Sequence, residues 1–251
     1  MAKNNHFDEL DRLLKGQAGA ERLKGGNAEV ARVWDYARGM AAVENVIAVV
    51  SDLATGTSRI FSGAFAEVAG LEGYQGEDSI WERRLLRLLE PGEVEAKMMS
   101  ELRFFHYVRR GGRSRGRYFL MSKLRMRLGD GRVEDVLHRM YYVYDADGQT
   151  VRFAICLYGP LTVSFQGRSV VVDSLTGLSE ALDSGAGIEI LSRRELQVLA
   201  LIDAGFKSRE IAERLSISLH TVSRHRQEIL AKLRVRNSPE ACRLARSLGL
   251  I

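Results

Sequence analysis

Residues 221–230, TVSRHRQEIL, determine how the C-terminal part of the chain folds, because their apolar positions recur with the period of an α-helix. At about 100° per residue, one side of this helix carries the apolar positions Val222, Ile229 and Leu233. The opposite side carries the polar positions Ser223, Arg224 and Gln227. Most polar helix faces simply face solvent, and the alternative is a face that binds a partner. The neighbouring sequence distinguishes the two.

Further helices surround this stretch, and each is recognised by signals at its ends. LSRRELQVLALIDAG begins with Ser192 and Glu195 at the spacing of a capping box, and it stops at Gly205. SREIAERL, the quoted helix and SPEACRLARSLGLI follow. We expect serines to cap these three helices: Ser208, Ser218 and Ser238. Residues 190–251 are therefore predicted to form a small all-α domain of four helices.

The connection between the second and third of these helices predicts their crossing angle. Only about three residues separate them, which forces a steep crossing of the helix-turn-helix type over residues 208–227. In that motif the start of the second helix enters the major groove of DNA. The polar side of the quoted helix, at Ser223, Arg224 and Gln227, is then the surface that contacts bases.

The distribution of charge agrees with this interpretation. The chain of 251 residues has a formal net charge of +5, and residues 190–251 contain 12 Lys and Arg against 6 Asp and Glu. The excess positive charge therefore lies entirely in the last quarter of the chain. Such asymmetry is typical of nucleic-acid binding, although anionic membranes and acidic proteins attract the same charge.

Residues 190–251 resemble the LuxR-type DNA-binding domain of bacterial transcription regulators. The resemblance runs through LSRRELQVL, G-x-x-S-x-E-I-A, L-x-I-S-x-x-T-V-x-x-H, I-x-x-K-L-x-V and the terminal GLI. Gln197 departs from the glutamate usual in the family. The resemblance implies that bases are read by Ser223, Arg224 and Gln227. It implies phosphate contacts by Ser208, Arg209, Thr221 and Lys232.

The region ahead of this domain predicts an antiparallel sheet. Two short strands, about 46–51 and 57–61, precede helical stretches near 63–70, 79–90 and 93–108. The strands YFLMSKLRMR, VEDVLHRMYYVY and VRFAICLYG follow, joined by GDG and DADG hairpin signals. Two strands, helices and three strands resemble a PAS domain in element order. The fold class is therefore α+β: a PAS-like five-stranded antiparallel sheet with helices, followed by a four-helix helix-turn-helix domain.

The predicted domain boundaries follow from these elements. Residues 1–43 form an N-terminal helical segment, 44–177 the PAS-like domain, 178–189 a linker and 190–251 the DNA-binding domain. A phosphorylatable receiver domain is rejected, because VIAVVSD offers only Asp52 and the strands form hairpins. An acyl-homoserine-lactone-binding domain has no positive support, but Trp81 leaves it open.

No cofactor, metal site or catalytic constellation is identified in the sequence. The two cysteines, Cys156 and Cys242, are too far apart for a disulfide framework or a metal cluster, and Cys156 is predicted to be a buried strand residue. His106 and His138 are candidate haem ligands, but the sequence favours packing or hydrogen bonding for both. RRGGRSRGR, residues 109–117, resembles RNA-binding segments only in composition and is predicted to be an exposed loop. Residues Leu120, Leu124 and Met126 share one strand face, which either lines a ligand pocket or belongs to a filled core.

The sequence thus predicts a one-component transcription regulator that is not an enzyme. Its expected partners are double-stranded DNA and a second copy of itself, for which the last helix and the N-terminal region are candidate interfaces. RNA polymerase and a small-molecule ligand of the PAS-like domain are further candidates. With no apolar run of about 18 residues and no signal peptide, we expect a cytoplasmic protein that does not bind membranes. Two alternatives stay open: a sigma-factor-like polymerase subunit, and a PAS-containing interaction protein.

Overall fold

A computed structural model describes residues 5–17, 27–110, 112–146, 148–182, 191–233, 235–247 and 250–251. The chain divides into two compact units, Leu10–Ser184 and Met1–Glu9 with Gly185–Ile251. We call them the sheet unit and the C-terminal unit. No helix within the described ranges is long and apolar enough to cross a membrane.

Helices and strands are interleaved in the first part of the chain, and the described residues from 191 onward form helices but no strand. The helices are α1 (Asn5–Lys15), α2 (Asn27–Glu44), α3 (Phe65–Val68), α4 (Arg83–Leu86), α5 (Glu93–Arg110), α6 (Arg193–Asp203), α7 (Ser208–Leu215), α8 (Leu219–Leu233) and α9 (Ser238–Ser247), with a 3-10 helix at Gly112–Arg117. The strands are β1 (Ile47–Asp52), β2 (Thr57–Ser62), β3 (Gly76–Glu77), β4 (Tyr118–Arg127), β5 (Val133–Tyr144), β6 (Val151–Pro160), β7 (Ser169–Asp173) and β8 (Ser179–Ala181).

The eight strands among the described residues form one antiparallel sheet in the order β3-β2-β1-β6-β5-β4-β7-β8. The five strands predicted from the sequence are neighbours in its middle, β2-β1-β6-β5-β4. The predicted count of five is wrong, because β3, β7 and β8 extend the sheet at its two edges. A strand of two residues, such as β3, is too short to show any periodicity.

The predicted linker begins inside this sheet. Ser179, Glu180 and Ala181 pair with β7 after a turn in which Gly177 takes a φ of 72°. A short polar segment at a sheet edge resembles a linker in composition, and only its pairing identifies it as a strand. The remainder of the predicted linker, 183–189, lies outside the described residues.

Both faces of the sheet are covered by helices of the same unit. On one face, Ala37 and Ala41 of α2 pack against alternate residues of β1 and β6 in a buried apolar cluster. On the other face, α5 lies over the strands, and its Ser100 is hydrogen-bonded to Ser169 at 2.8 Å, which in turn contacts Ser122 of β4. Leu120, Leu124 and Met126 lie on the same face of β4 as Ser122, because every second residue of a strand points to the same side. All three are fully buried. This is the interior in which the sequence placed either a ligand pocket or a filled core.

Helices α6 to α9 of the C-terminal unit are the four that the end signals predicted, with two differences in capping. The capping box of α6 is confirmed: Ser192 Oγ accepts from the Glu195 amide at 3.3 Å, and Glu195 Oε2 accepts from the Ser192 amide at 2.6 Å. Ser208 and Ser238 are the first helical residues of α7 and α9 and do not cap them. In α9 the cap is Asn237, whose Oδ1 accepts from the Glu240 amide at 3.0 Å.

Candidate nucleic-acid interface

The turn between α7 and α8 sets the crossing of the two helices. Ser216 ends α7 in the left-handed conformation, with φ 51° and ψ 46°, and the Ile217 amide donates to Ala212 O at 3.0 Å. Ser218 Oγ then accepts from the Thr221 amide at 3.0 Å, which caps α8 as predicted. A three-residue turn closed at both ends by hydrogen bonds gives the two helices one defined geometry.

The apolar side of α8 packs against its own unit. Val222, Ile229 and Leu233 are buried, as the helical wheel predicted. Ile211 and Ala212 of α7 are also buried, so the small side chain at 212 lies where the two helices approach. The orientation of α8 about its axis is therefore set by the burial of its apolar side.

The opposite side of α8 is exposed at all three predicted base-reading positions, Ser223, Arg224 and Gln227. The Arg224 side chain is 72% exposed, and its Nε donates to Glu228 Oε1 at 2.9 Å. Exposed ion pairs of this kind contribute about 0.3–0.5 kcal/mol. The pair therefore orients the guanidinium without preventing it from binding another acceptor.

Three of the four residues expected to contact phosphate are already hydrogen-bonded within the unit. Ser208 Oγ accepts from Arg226 Nη1 at 3.0 Å, Thr221 Oγ1 shares a hydrogen bond of 2.8 Å with Ser218 Oγ, and Lys232 Nζ donates to Glu195 Oε2 at 2.7 Å. Arg209 is exposed at the start of α7. A lysine ammonium has three N–H donors, so Lys232 can bind Glu195 and a phosphate together.

Lys232 and Glu195 link α8 to the start of α6. The Glu195 side chain is only 2% exposed. Its burial raises the pKa, but hydrogen bonds from Lys232 and Ser192 outweigh this and hold the pKa of Glu195 below its ordinary value. The carboxylate is thus charged at neutral pH and needs its cation. The sequence identified Lys232 only through family resemblance and did not reveal this structural contact.

Arg226 joins three helices, which helical periodicity alone could not show. Its Nη1 and Nη2 donate to Ser208 Oγ of α7 and Ser238 Oγ of α9, at 3.0 and 2.9 Å. The two serines expected to cap helices therefore accept hydrogen bonds from one arginine of α8. This contact holds the start of α7 and the start of α9 beside α8.

The apolar residues of α9 that were predicted to form a dimer interface are buried in the structure. Ala241, Leu244 and Ala245 are buried within the C-terminal unit, and Leu248 lies outside the described residues. Their helical spacing reflects packing in the unit's own core. These three side chains are therefore not available to a second copy of the chain.

The basic run of residues 109–117 was predicted to be an exposed loop, but part of it, Gly112–Arg117, is a 3-10 helix. Arg115 is buried and donates to the Gln149 side chain at 3.1 Å, with its guanidinium over the Tyr144 ring. Arg117 donates to Asp173 Oδ2 of β7 at 2.5 Å. These two arginines hold the 3-10 helix against the sheet.

A cluster of ionisable side chains in the sheet unit was not predicted. Lys97 Nζ of α5 lies 3.1 Å from Glu82 Oε1 and 2.7 Å from Glu101 Oε1, and all three side chains are buried. His138 and Cys156, on β5 and β6, are buried beside them. Glu101, His138 and Cys156 each offer one ligand atom, within 4.8 Å of one another, a grouping that the sequence did not predict. Trp81, the residue that left an acyl-homoserine-lactone-binding domain open, is buried and donates from Nε1 to Asp11 Oδ1 at 2.8 Å within the sheet unit.

Comparison with protein families identifies the C-terminal unit. Residues 189–245 match the family model of bacterial regulatory proteins of the luxR family, also called GerE. The helix-turn-helix of α7 and α8 is thus the DNA-binding motif of a LuxR-type domain. The resemblance read from the sequence is confirmed for this part of the chain.

Two curated relatives match the same region. The oxygen regulatory protein NreC of Staphylococcus epidermidis is 41% identical over 61 residues, which is 24% of this chain and 28% of the relative. NreC of Staphylococcus aureus is 46% identical over 52 residues, 21% of this chain and 24% of the relative. The chain therefore spans about a quarter of the length of these relatives, and the match is limited to the LuxR-type domain.

Solved structures resemble the chain over more of its length, but weakly. The phage VqmA-DPO complex has a TM-score of 0.32 at 17% identity over 89% of both chains. Escherichia coli SdiA has a TM-score of 0.29 at 14% identity, covering 98% of this chain and 97% of the other. TM-scores of this size do not establish a shared fold for the sheet unit, so its PAS-like character is not confirmed by them.

Proposed function

We propose that the chain is a one-component transcription regulator that binds double-stranded DNA through α8 and acts in the cytoplasm. The observation that carries the proposal is the exposure of Ser223, Arg224 and Gln227 on one side of α8, at the end of a LuxR-type helix-turn-helix. The major groove admits one α-helix, and side chains near its N-terminal end reach the base edges. Arginine pairs with guanine and glutamine with adenine.

Phosphate contacts position this helix. Arg209, exposed at the start of α7, and Lys232, on α8, are the proposed cationic contacts, with Ser208 and Thr221 as hydroxyl contacts. Such contacts bind all sequences about equally and make affinity depend on salt. The three side chains on the outer side of α8 are left to discriminate between sequences.

We propose further that the sheet unit is PAS-like and either senses a signal or mediates dimerisation. Its support is the element order of two strands, helices and three strands, with the five predicted strands adjacent in the middle of the sheet. One recognition helix contacts few base pairs, so paired half-sites raise affinity and favour a homodimer. RNA polymerase is a candidate partner of the regulator when bound to DNA.

The test is selection of DNA by the full chain from a pool of random duplexes, followed by titration of the selected sequence at several salt concentrations. We expect a sequence with two related half-sites and an observed binding constant that falls steeply with salt. Light scattering should show a dimer on the selected DNA. A chain that selects no sequence, or that binds every duplex equally, is not a sequence-specific regulator. DNA binding only in the presence of core polymerase would indicate a sigma-like subunit.

The pairing of Lys232 with Glu195 leads to a prediction that separates structural from phosphate contacts. Lys232→Met leaves a buried carboxylate without its cation, so we expect a loss of about 1–2 kcal/mol in the stability of the C-terminal unit and a salt slope reduced by roughly one. Arg209→Ala is the matched control: the same change in slope, without the loss of stability. Hydrogen exchange of α6 and α8 amides and salt titrations measure the two effects. Unchanged exchange in Lys232→Met would show that its contact with Glu195 contributes no stability.

A further inference from the structure

Three potential metal ligands from separate elements meet in the interior of the sheet unit. Glu101 of α5, His138 of β5 and Cys156 of β6 each offer one ligand atom, and these atoms lie within 4.8 Å of one another. All three residues are buried. They are 37 and 18 positions apart in the chain, so they do not form a short sequence motif.

The sheet register explains why they meet. His138 pairs with Tyr158 and Met140 pairs with Cys156, so His138 and Cys156 are diagonal neighbours on one face of adjacent strands. The helix α5 covers that face, and Glu101 lies one turn after Lys97 on it. The His138 ring also stacks on Tyr158, with ring centroids 4.8 Å apart. This stacking and the complete burial of His138 hold the imidazole in place.

His138 is an unpartnered polar side chain within this group. It is fully buried, and neither Nδ1 nor Nε2 has a hydrogen-bond partner. Its Nε2 lies 3.5 Å from Glu101 Oε1, beyond a normal hydrogen bond. A buried polar atom left without a partner costs about 1–3 kcal/mol, and each such atom in a native protein calls for an explanation, such as strain, a bound water, an ion or a function. Burial, and then the charge of Lys97, hold the pKa of His138 well below its ordinary value, so the ring is neutral and keeps a free lone pair.

We propose that Glu101, His138 and Cys156 bind a divalent transition-metal ion of the zinc class. Zinc takes thiolate, imidazole and carboxylate ligands in one tetrahedral site, and three protein ligands leave a fourth position for water or another small ligand. In such a site neighbouring ligand atoms stand about 3.3–3.8 Å apart. Side-chain rotations that move ligand atoms by about 1 Å would close the group around the ion.

The charges in the interior allow such an ion. The cation replaces the protons of the Cys156 thiol and the Glu101 carboxyl, and its two charges are then balanced by the thiolate and the carboxylate. Lys97 and Glu82 remain as a buried pair of opposite charge beside the site. Glu101 Oε1 lies near both Lys97 Nζ and His138 Nε2, at 2.7 and 3.5 Å. A rotation of the carboxylate lets one oxygen stay with Lys97 while the other binds the ion.

The test is titration of the chelator-treated full chain with Zn²⁺ and with Co²⁺. We expect about one ion bound per chain by elemental analysis after gel filtration, a higher Tm with Zn²⁺, and a thiolate-to-cobalt charge-transfer absorption with Co²⁺. Cys156→Ala should lose all three properties. Cys242→Ala removes the other buried cysteine of the chain and is the matched control that should keep all three.

Two further variants keep the test decisive if Cys156→Ala fails to fold. Glu101→Gln and His138→Phe each remove one ligand, and each should lower the metal affinity at least tenfold while circular dichroism shows folded protein. A wild-type chain that binds no ion, or a charge-transfer band that persists in Cys156→Ala and vanishes in Cys242→Ala, would overturn the proposal. Because the site lies within the sheet unit, DNA binding through α8 can fail or succeed independently of it.

Discussion

Replacement of Arg224 by alanine is expected to remove base discrimination at one position of each half-site while the C-terminal unit stays folded. The guanidinium can donate two hydrogen bonds to guanine O6 and N7, a pairing that contributes about 1–3 kcal/mol of discrimination. In the free protein this side chain is 72% exposed and bonded only on the surface, to Glu228. Its removal should therefore change stability by less than about 0.5 kcal/mol.

The measurement is a binding titration of wild type and Arg224→Ala against the selected duplex and its single-base variants. We expect wild type to lose about 5- to 150-fold in affinity at the guanine, and Arg224→Ala to bind all four bases there about equally. Arg209→Ala is the control, since loss of a phosphate contact weakens every duplex alike. If Arg224→Ala also weakens every duplex alike, Arg224 is a phosphate contact and α8 is rotated differently in the groove.

Glu228 provides a second check on the same prediction. It holds Arg224 by an i,i+4 ion pair in the free protein. Glu228→Gln releases the guanidinium and removes a negative charge from the DNA-facing region, so affinity for all duplexes should rise while the preference for guanine persists. A loss of that preference would mean that Glu228 orients Arg224 on DNA as well.

Replacement of Lys97 by methionine is expected to cause the largest loss of stability, about 3–5 kcal/mol in the sheet unit. The ammonium is the only cation within 4.0 Å of the Glu82 and Glu101 carboxylates among the described residues, and all three side chains are almost completely buried. Burial raises the pKa of Glu82, but Lys97 and the Tyr158 hydroxyl hold it below its ordinary value. Glu101, by contrast, keeps a raised pKa because its burial outweighs the attraction of Lys97. Methionine fills similar space but leaves Glu82 charged and uncompensated.

Urea unfolding of the chelator-treated chain at neutral pH measures this loss. The control is Arg132→Met on the loop between β4 and β5, where Arg132 contacts Asp130 and Glu134 at 2.7 Å but all three side chains are about half exposed or more. We expect the control to lose less than about 1 kcal/mol. Lys97→Met combined with Glu82→Gln should recover part of the loss. If Lys97→Met and Arg132→Met lower the free energy of unfolding equally, the interior around Lys97 is hydrated.

Local features of the two units could be predicted from the sequence because their causes lie within a few residues. The buried side of α8 follows from the apolar spacing of Val222, Ile229 and Leu233, and the cap of α6 from Ser192 and Glu195. The five central strands follow from alternation and Asp-Gly hairpin signals. The exposed side of α8, and with it the proposed DNA-reading surface, follows from the same local period.

The remaining features depend on segments that are distant in the chain. Ser208 and Ser238 accept hydrogen bonds from Arg226, which lies 18 and 12 positions away, and α9 buries the apolar side that spacing alone suggested for a dimer. Strands β7 and β8 are too short for their apolar pattern to predict them. They form by pairing, β7 with the edge of β4 and β8 with β7. Glu101, His138 and Cys156 meet only when α5 covers the β5–β6 register. Periodicity and capping act over one or two helical turns or along one strand, whereas pairing and burial bring together side chains that no local spacing relates.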